Sequence, residues 1–123
     1  MIHLDTNFLV DALVPTSKQS LLLTAWLENG HELGMSSVAW GEFLCGPVVE
    51  NAVFLSRQII PVLENLTGDD AELAARLFNQ SGRRSKSFAD CSIAAVAMRC
   101  NAGLASGNRA DFEPLISFGL KLL

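Results

Sequence analysis

Residues 2–11, which have the sequence IHLDTNFLVD, decide the fold. Residues 2–4 are a short apolar run that ends at Asp5. Thr6 follows in the position of a helix N-cap, before the periodic apolar segment 8–13. The stretch therefore predicts a buried strand that passes directly into a helix, with an acidic residue at the junction.

The same alternation of short apolar runs and helical segments continues along the chain. Strands are predicted over residues 33–37, 103–106 and 115–123, the last with a turn or bulge at Gly119, and residues 61–63 are a weak strand or connector. Helices are predicted over residues 19–28, 38–44 and 49–59, and after two capping-box patterns, Thr67-Gly-Asp-Asp70 and Ser87-Phe-Ala-Asp90. Strands that alternate with helices predict an α/β fold, a three-layer α/β/α sandwich around a mainly parallel sheet.

Length and composition predict one folded domain spanning residues 1–123. Half of the residues are hydrophobic and the mean hydropathy is +0.30, so we expect apolar surface that a second copy or another protein covers. No apolar run approaches the roughly 20 residues of a spanning helix, and the N-terminus lacks the basic start of a secretion signal. We therefore expect a cytoplasmic protein with no membrane partner.

Charge and cysteine content exclude two further classes. A net charge of −4 argues against a protein that coats nucleic acid by charge alone, although a local basic patch is still allowed. The three cysteines are odd in number and have no C-x-x-C spacing, so neither a disulfide framework nor a thiolate zinc site is predicted.

Acidic residues follow the predicted strands where a parallel sheet binds its ligands. Asp5 ends the first strand, Glu42 lies about one helical turn after the second, and Asp90 opens the helix before the next sheet strand. Carboxylates that converge on one crevice repel each other unless a proton or a cation intervenes. Oxygen ligands without His or Cys favour Mg²⁺ or Mn²⁺, and the natural substrate of such a site is a phosphodiester.

Four segments resemble the motifs of the PIN-domain family, and within it the VapC-like toxins of bacterial and archaeal toxin–antitoxin pairs. They are IHLDTNFLVD at residues 2–11, SSVAWGEFLCG at 36–46, FADCSIAA at 88–95 and LASGNRADF at 104–112. The resemblance implies that Asp5, Glu42 and Asp90 are metal ligands and catalytic residues. It gives Thr6, Ser106 and Asp111 supporting roles and makes Asn108 the fourth catalytic position.

The fourth motif departs from the fullest pattern, because many PIN nucleases have Asp where this chain has Asn108. With one negative ligand fewer, we expect one tightly held ion and a second only when substrate is present. Asp111 is more simply a turn or helix-cap acid than a direct ligand.

The resemblance implies an Mg²⁺- or Mn²⁺-dependent endoribonuclease, the toxin of a pair, with RNA as substrate, a cognate antitoxin as partner and a homodimer or larger assembly. One alternative is a non-catalytic PIN-fold module that binds RNA or protein. A less favoured alternative is a small phosphatase with Asp5 as the phosphoryl-accepting nucleophile. Asn7 stands where such an enzyme would carry a second acid, which counts against it.

Several of these residues also have simpler interpretations. A turn residue accounts for Asp5, a surface acid accounts for Glu42, and the capping box alone accounts for Asp90. His3 has apolar neighbours and is better interpreted as a strand residue than as a base. Three cations, Arg83, Arg84 and Lys86, form a basic loop that is either solvated or bound to RNA phosphates.

Overall fold

The computed structural model describes residues 1–82 and 87–123. The three cations that we predicted as a possible RNA contact, Arg83, Arg84 and Lys86, lie outside the described residues.

A five-stranded parallel sheet forms the centre of the fold, in the order β3-β2-β1-β4-β5. The strands are β1 (Ile2–Leu4), β2 (Leu33–Ser36), β3 (Val62–Glu64), β4 (Gly103–Ala105) and β5 (Lys121–Leu122). The central strand β1 pairs through His3 with Gly34 of β2 on one side and with Leu104 of β4 on the other. The sheet and its flanking helices confirm the predicted α/β/α sandwich.

Helices connect the strands. They are α1 (Thr6–Ala12), α2 (Lys18–Glu28), α3 (Ser37–Cys45), α4 (Glu50–Ile59), α5 (Gly68–Gln80), α6 (Phe88–Arg99) and the short α7 (Arg109–Phe112). Thr67 caps α5 with the predicted reciprocal box, in which its hydroxyl accepts from the Asp70 amide and the Asp70 carboxylate accepts from the Thr67 amide. None of the described helices is both long and apolar enough to cross a membrane.

The core lies where α6 packs against the sheet. Strand β1 is buried along its whole length, as a central strand covered on both faces must be. Three buried alanines of α6, Ala94, Ala95 and Ala97, keep that helix slim enough to pack closely in the core. This packing fixes the first turn of α6, which carries Asp90, beside the carboxyl ends of the strands.

Two details of the prediction were wrong. The last strand does not begin at residue 115, because a 3₁₀ helix occupies Glu113–Phe118 and only Lys121–Leu122 pair with β4. Pro114 stands at the start of that helix, and Gly119, with a φ of 111°, ends it in a conformation that favours glycine. The N-cap of α1 is Asp5 rather than Thr6, because the Asp5 carboxylate accepts the Thr6 amide proton at 2.9 Å.

Candidate active site

Acidic side chains converge on one cleft of about 310 Å³ at the carboxyl ends of the central strands. Asp5 follows β1 directly, Glu42 lies on the helix that follows β2, and Asp90 lies in the first turn of α6. The cleft is lined by Asp5, Thr6, Asn7, Val10, Asp11, Glu42, Asp90, Asn108 and Asp111. The structure thus brings together the three predicted carboxylates, Asn108 and two of the predicted supporting residues, Thr6 and Asp111.

Asp5 is the most buried carboxylate of the cleft, with 5% of its surface exposed. Its Oδ1 accepts from the Thr6 amide at 2.9 Å, and its Oδ2 accepts from the Ser106 hydroxyl at 2.8 Å. Burial raises the pKa of Asp5 and the nearby Asp111 adds to the rise, although the two hydrogen bonds oppose it. The structure therefore places the Ser106 hydroxyl in direct contact with Asp5.

Glu42 shares the hydroxyl of Thr6 with a backbone carbonyl. The Thr6 hydroxyl donates to the Ala39 carbonyl at 2.9 Å and lies 3.4 Å from Glu42 Oε1. Burial, followed by the negative charge of Asp5, raises the pKa of Glu42. Because a hydroxyl has one proton, the bond to Ala39 is the stronger of the two and the contact of Thr6 with Glu42 is weak.

Asp90 has the largest pKa shift that the structure resolves in this cleft. Burial, then the charges of Asp5, Asp111 and Glu42, raise its pKa to about 6, while a Ser87 hydrogen bond opposes the rise. The Ser87 hydroxyl also accepts from the Asp90 amide at 3.1 Å and so caps α6. Ser87 therefore caps the backbone amide of Asp90, while the Asp90 carboxylate belongs to the acidic cluster.

Asn7 is a cleft residue whose role the sequence did not reveal. Its Oδ1 accepts from the Gly107 amide at 3.1 Å and lies 3.5 Å from the Ser106 hydroxyl. Asn7 therefore fastens the loop after β4 to the first turn of α1. Its position two residues after Asp5 was the only sequence signal that it lies near the cleft. Its hydrogen-bond partner, Gly107, is 100 residues away in the sequence and could not be foreseen. Asp11 and Val10, one turn further along α1, also line the cleft and were not predicted.

Asn108 and Asp111 complete the wall formed by the loop after β4. Asn108 precedes α7, but its side chain does not cap that helix. Its backbone N–H donates to the Ser106 hydroxyl at 3.0 Å. Asp111 lies in the first turn of α7, and its charge raises the pKa of both Asp5 and Asp90. Asp111 therefore belongs to the cluster electrostatically.

The donor chemistry of the cleft fits a hard divalent cation. Carboxylate and amide oxygens supply most of its polar lining. Burial and, after it, the negative charges of neighbouring carboxylates raise the pKa of Asp5, Glu42 and Asp90, and a cation would offset both causes. Within residues 1–82 and 87–123, no three acidic, His or Cys side chains are spaced to coordinate one ion together. A bound ion would therefore keep several of its waters, as Mg²⁺ does in most proteins.

Comparison with known proteins identifies one family and several solved structures with a similar fold. A sequence model of the PIN domain matches residues 2–113. Three similar solved structures are VapBC2 from Rickettsia felis bound to a promoter DNA fragment (17% identity, TM-score 0.76, all of this chain and 98% of that chain), a toxin–antitoxin complex from Klebsiella pneumoniae (22%, 0.75, 100% and 96%) and the Mycobacterium tuberculosis sarcin–ricin loop cleaving toxin VapC20 (17%, 0.65, 85% and 87%). No curated protein sequence matches this chain.

Proposed function

The chain belongs to the PIN-domain family, and we propose that it is a metal-dependent endoribonuclease that hydrolyses RNA phosphodiester bonds. The observation that carries the proposal is the convergence of Asp5, Glu42 and Asp90 on one cleft, each with a raised pKa. Water alone does little to stabilise clustered carboxylates, whereas a divalent ion neutralises them and can in turn bind a phosphate.

In this proposal Asp5, Glu42 and Asp90 would hold Mg²⁺ or Mn²⁺ partly through the waters of the ion, because the three carboxylates are not spaced to coordinate one ion directly. Such an ion would supply Lewis-acid stabilisation of the phosphate and would lower the pKa of its bound water. The hydroxyl of Ser106 keeps Asp5 in position through a 2.8 Å hydrogen bond, and that of Thr6 makes a weaker contact with Glu42. Asn108 offers an uncharged amide at the rim, which leaves one negative charge fewer near the RNA phosphate.

RNA as substrate and a toxin role are supported by the similar structures. One is named as a toxin that cleaves the sarcin–ricin loop, an RNA element, and others are toxin–antitoxin complexes. Single-stranded or looped RNA suits an open cleft because its backbone can bend toward the carboxylates. We propose that an antitoxin protein inhibits this chain in the cell.

Exposed apolar side chains support the proposed protein partners. Val49, Phe54 and Leu55, on or beside α4, and Leu44, near the end of α3, expose between 45% and 67% of their surface. Single exposed apolar side chains are ordinary on a protein surface, but several within one short stretch of chain, residues 44–55, suggest a surface for a protein partner. We propose that a second copy of the chain and the antitoxin share this apolar surface.

The phosphatase alternative fits the geometry less well. Both carboxylate oxygens of Asp5 accept hydrogen bonds, and Asn7 holds the Gly107 amide where a phosphatase needs an acid. Neither arrangement favours Asp5 as a nucleophile.

The proposal is tested by incubating labelled structured RNA with the purified chain in Mg²⁺, Mn²⁺ or EDTA, beside Asp5→Asn. Asp69→Asn, at an exposed acid in the first turn of α5, is the matched control. We expect cleavage that needs the metal, survives in the control and is lost in Asp5→Asn while that variant stays folded. Metal binding without cleavage of any RNA would instead identify a non-catalytic binding module.

Toxicity is tested separately by expressing the chain alone in a bacterial host. We expect growth to slow with the wild-type chain and to continue with Asp5→Asn. Normal growth together with RNA cleavage in vitro would favour a housekeeping nuclease over a toxin.

A further inference from the structure

A second cleft of about 390 Å³ adjoins the carboxylate cleft. Ser106 and Gly107 line the second cleft, which we call the side cleft, and the next residue, Asn108, lines the carboxylate cleft. The Ser106 hydroxyl is also the donor to Asp5. A chain that enters the side cleft therefore lies one loop away from the proposed reaction centre.

The side cleft contains an aromatic wall. Phe8 of α1 and Trp26 of α2 stack with ring centroids 5.5 Å apart and an interplanar angle of 23°. Phe8 is buried, whereas Trp26 is only partly covered, and Leu22 is exposed one turn before it on α2. Accessible aromatic and aliphatic carbon in a concave site provides a platform on which a nucleobase can pack.

Two cations stand around this wall. Lys18 begins α2 and is exposed, and Arg109 begins α7 and donates to the backbone carbonyl of Leu123. The described lining of the carboxylate cleft, in contrast, contains no Lys or Arg. Because the acidic cluster repels RNA, positive charge at its border is where the flanking phosphates can be held.

Gln19 adds a group that can distinguish bases. It lines the side cleft, and its side chain makes no hydrogen bond to any other residue that the structure describes. A Gln amide carries a donor and an acceptor side by side, which is the arrangement that pairs with the edge of a base.

We propose that the side cleft binds one nucleotide of the RNA substrate, next to the phosphate that is cleaved. The base packs on Trp26, the Gln19 amide contacts its edge, and Lys18 and Arg109 hold adjoining phosphate. This inference rests on the proposed endoribonuclease function and adds a subsite that determines where the RNA is cut.

The first test measures RNA binding without cleavage. Four fluorescein-labelled six-nucleotide RNAs, each made of a single kind of base, are titrated with the full chain in EDTA. Binding is followed by fluorescence anisotropy. We expect Trp26→Leu to weaken binding about tenfold, the effect of losing one stacked base. Lys18→Ala should weaken it several-fold and flatten the logarithmic salt dependence by about 0.7, the value for one phosphate contact with a single strand.

Arg76→Ala is the matched control for Lys18→Ala. Arg76 is an exposed cation on α5 that lines neither cleft, and its loss should leave RNA binding unchanged. Urea unfolding of every variant separates loss of binding from loss of folding. Because Lys18 and Gln19 lie on the first turn of α2, their alanine variants should remain folded.

The second test maps cut positions in a digest of total RNA. Gln19→Ala should change the base preference beside the cut while the protein still cleaves, which a purely structural role would not produce. The inference would be overturned if the wild type cleaves RNA and both Lys18→Ala and Gln19→Ala keep its RNA binding and its cut sites. That result would leave the proposed nuclease function intact and is the one expected if a peptide occupies the side cleft. Oligonucleotide binding that needs Lys18, without cleavage in any metal, would instead refute the proposed function and keep the nucleotide subsite.

Discussion

Replacing Asp90 by Asn should abolish the proposed activity and at the same time stabilise the metal-free protein. In the folded chain, burial and the charges of Asp5 and Asp111 raise the pKa of Asp90 from its ordinary 3.8 to about 6. An acid with a raised pKa favours folding while it is protonated and opposes folding once it is ionised. The wild-type contribution is therefore most favourable below about pH 4 and is lost as the pH rises through about 6.

The expected gain follows from the size of that shift. A difference of about two pH units corresponds to about 3 kcal/mol at full strength. Because Asp90 is only half-buried, solvent screens its repulsion and we expect about 1 kcal/mol at pH 7. For a chain of this length that gain raises the melting temperature by about 3–5 °C.

The assay is thermal unfolding in EDTA at pH 7.5, 6.0 and 4.0, with Asp69→Asn as the matched control. Asp69 is an exposed acid in the first turn of α5, so its replacement should cost a few tenths of a kcal/mol through the helix dipole and should not stabilise the protein. Asp90→Asn should melt above the wild type at pH 7.5, with a difference that vanishes by pH 4.0. A variant less stable than the wild type at pH 7.5, or an advantage independent of pH, would refute the electrostatic reasoning.

Three further predictions follow from contacts inside and outside the cleft. Asn7→Ala removes the acceptor of the Gly107 amide and should cost about 1 kcal/mol in urea unfolding and reduce the RNA cleavage rate; unchanged cleavage would show that the loop after β4 needs no fastening. His3→Leu should stabilise the protein by about 1–2 kcal/mol at pH 5 and by less at pH 8, because burial lowers the pKa of His3 and wild-type stability falls as the pH drops below about 6.5; equal effects at the two pH values would contradict this. Arg99→Ala removes the Nε–H that donates to both carboxylate oxygens of the buried Asp70 and should cost about 2–3 kcal/mol at pH 7. The loss should shrink as the pH falls below 3.8, the ordinary pKa of the carboxyl, because Arg99 lowers the pKa of Asp70 in the folded chain; a loss independent of pH in urea unfolding would rule out the ion pair as its cause.

Most of the fold was predictable because most of its elements carry a local signal of their own. The apolar run before Asp5 and the Thr67 capping box specify a strand and a helix start without reference to the rest of the chain. The C-terminal segment was not predictable in this way, since residues 115–123 are apolar enough for a strand. Burial of Leu115 in a 3₁₀ turn and the left-handed Gly119 decided its conformation.

The candidate site was predictable as far as strand ends determine it. Asp5 follows a buried strand, so a parallel sheet places it in the crevice whatever the details of the fold. The contacts that position it were not predictable, because the Ser106 hydroxyl reaches Asp5 across 101 residues of sequence. Asn7 was missed for the same reason, since its function depends on a loop that only the folded chain brings near.

The central claim is that the cleft at Asp5 holds the divalent ion that RNA cleavage requires. The most direct test is a Mn²⁺ titration in which the free Mn²⁺ signal in electron paramagnetic resonance and the RNA cleavage rate are measured in the same samples. We predict that the cleavage rate of the wild type rises with the fraction of its Mn²⁺ site that is occupied. Asp5→Asn should lose both the bound Mn²⁺ and cleavage. Cleavage that persists in Asp5→Asn, or in the wild type with no Mn²⁺ bound, would contradict the claim.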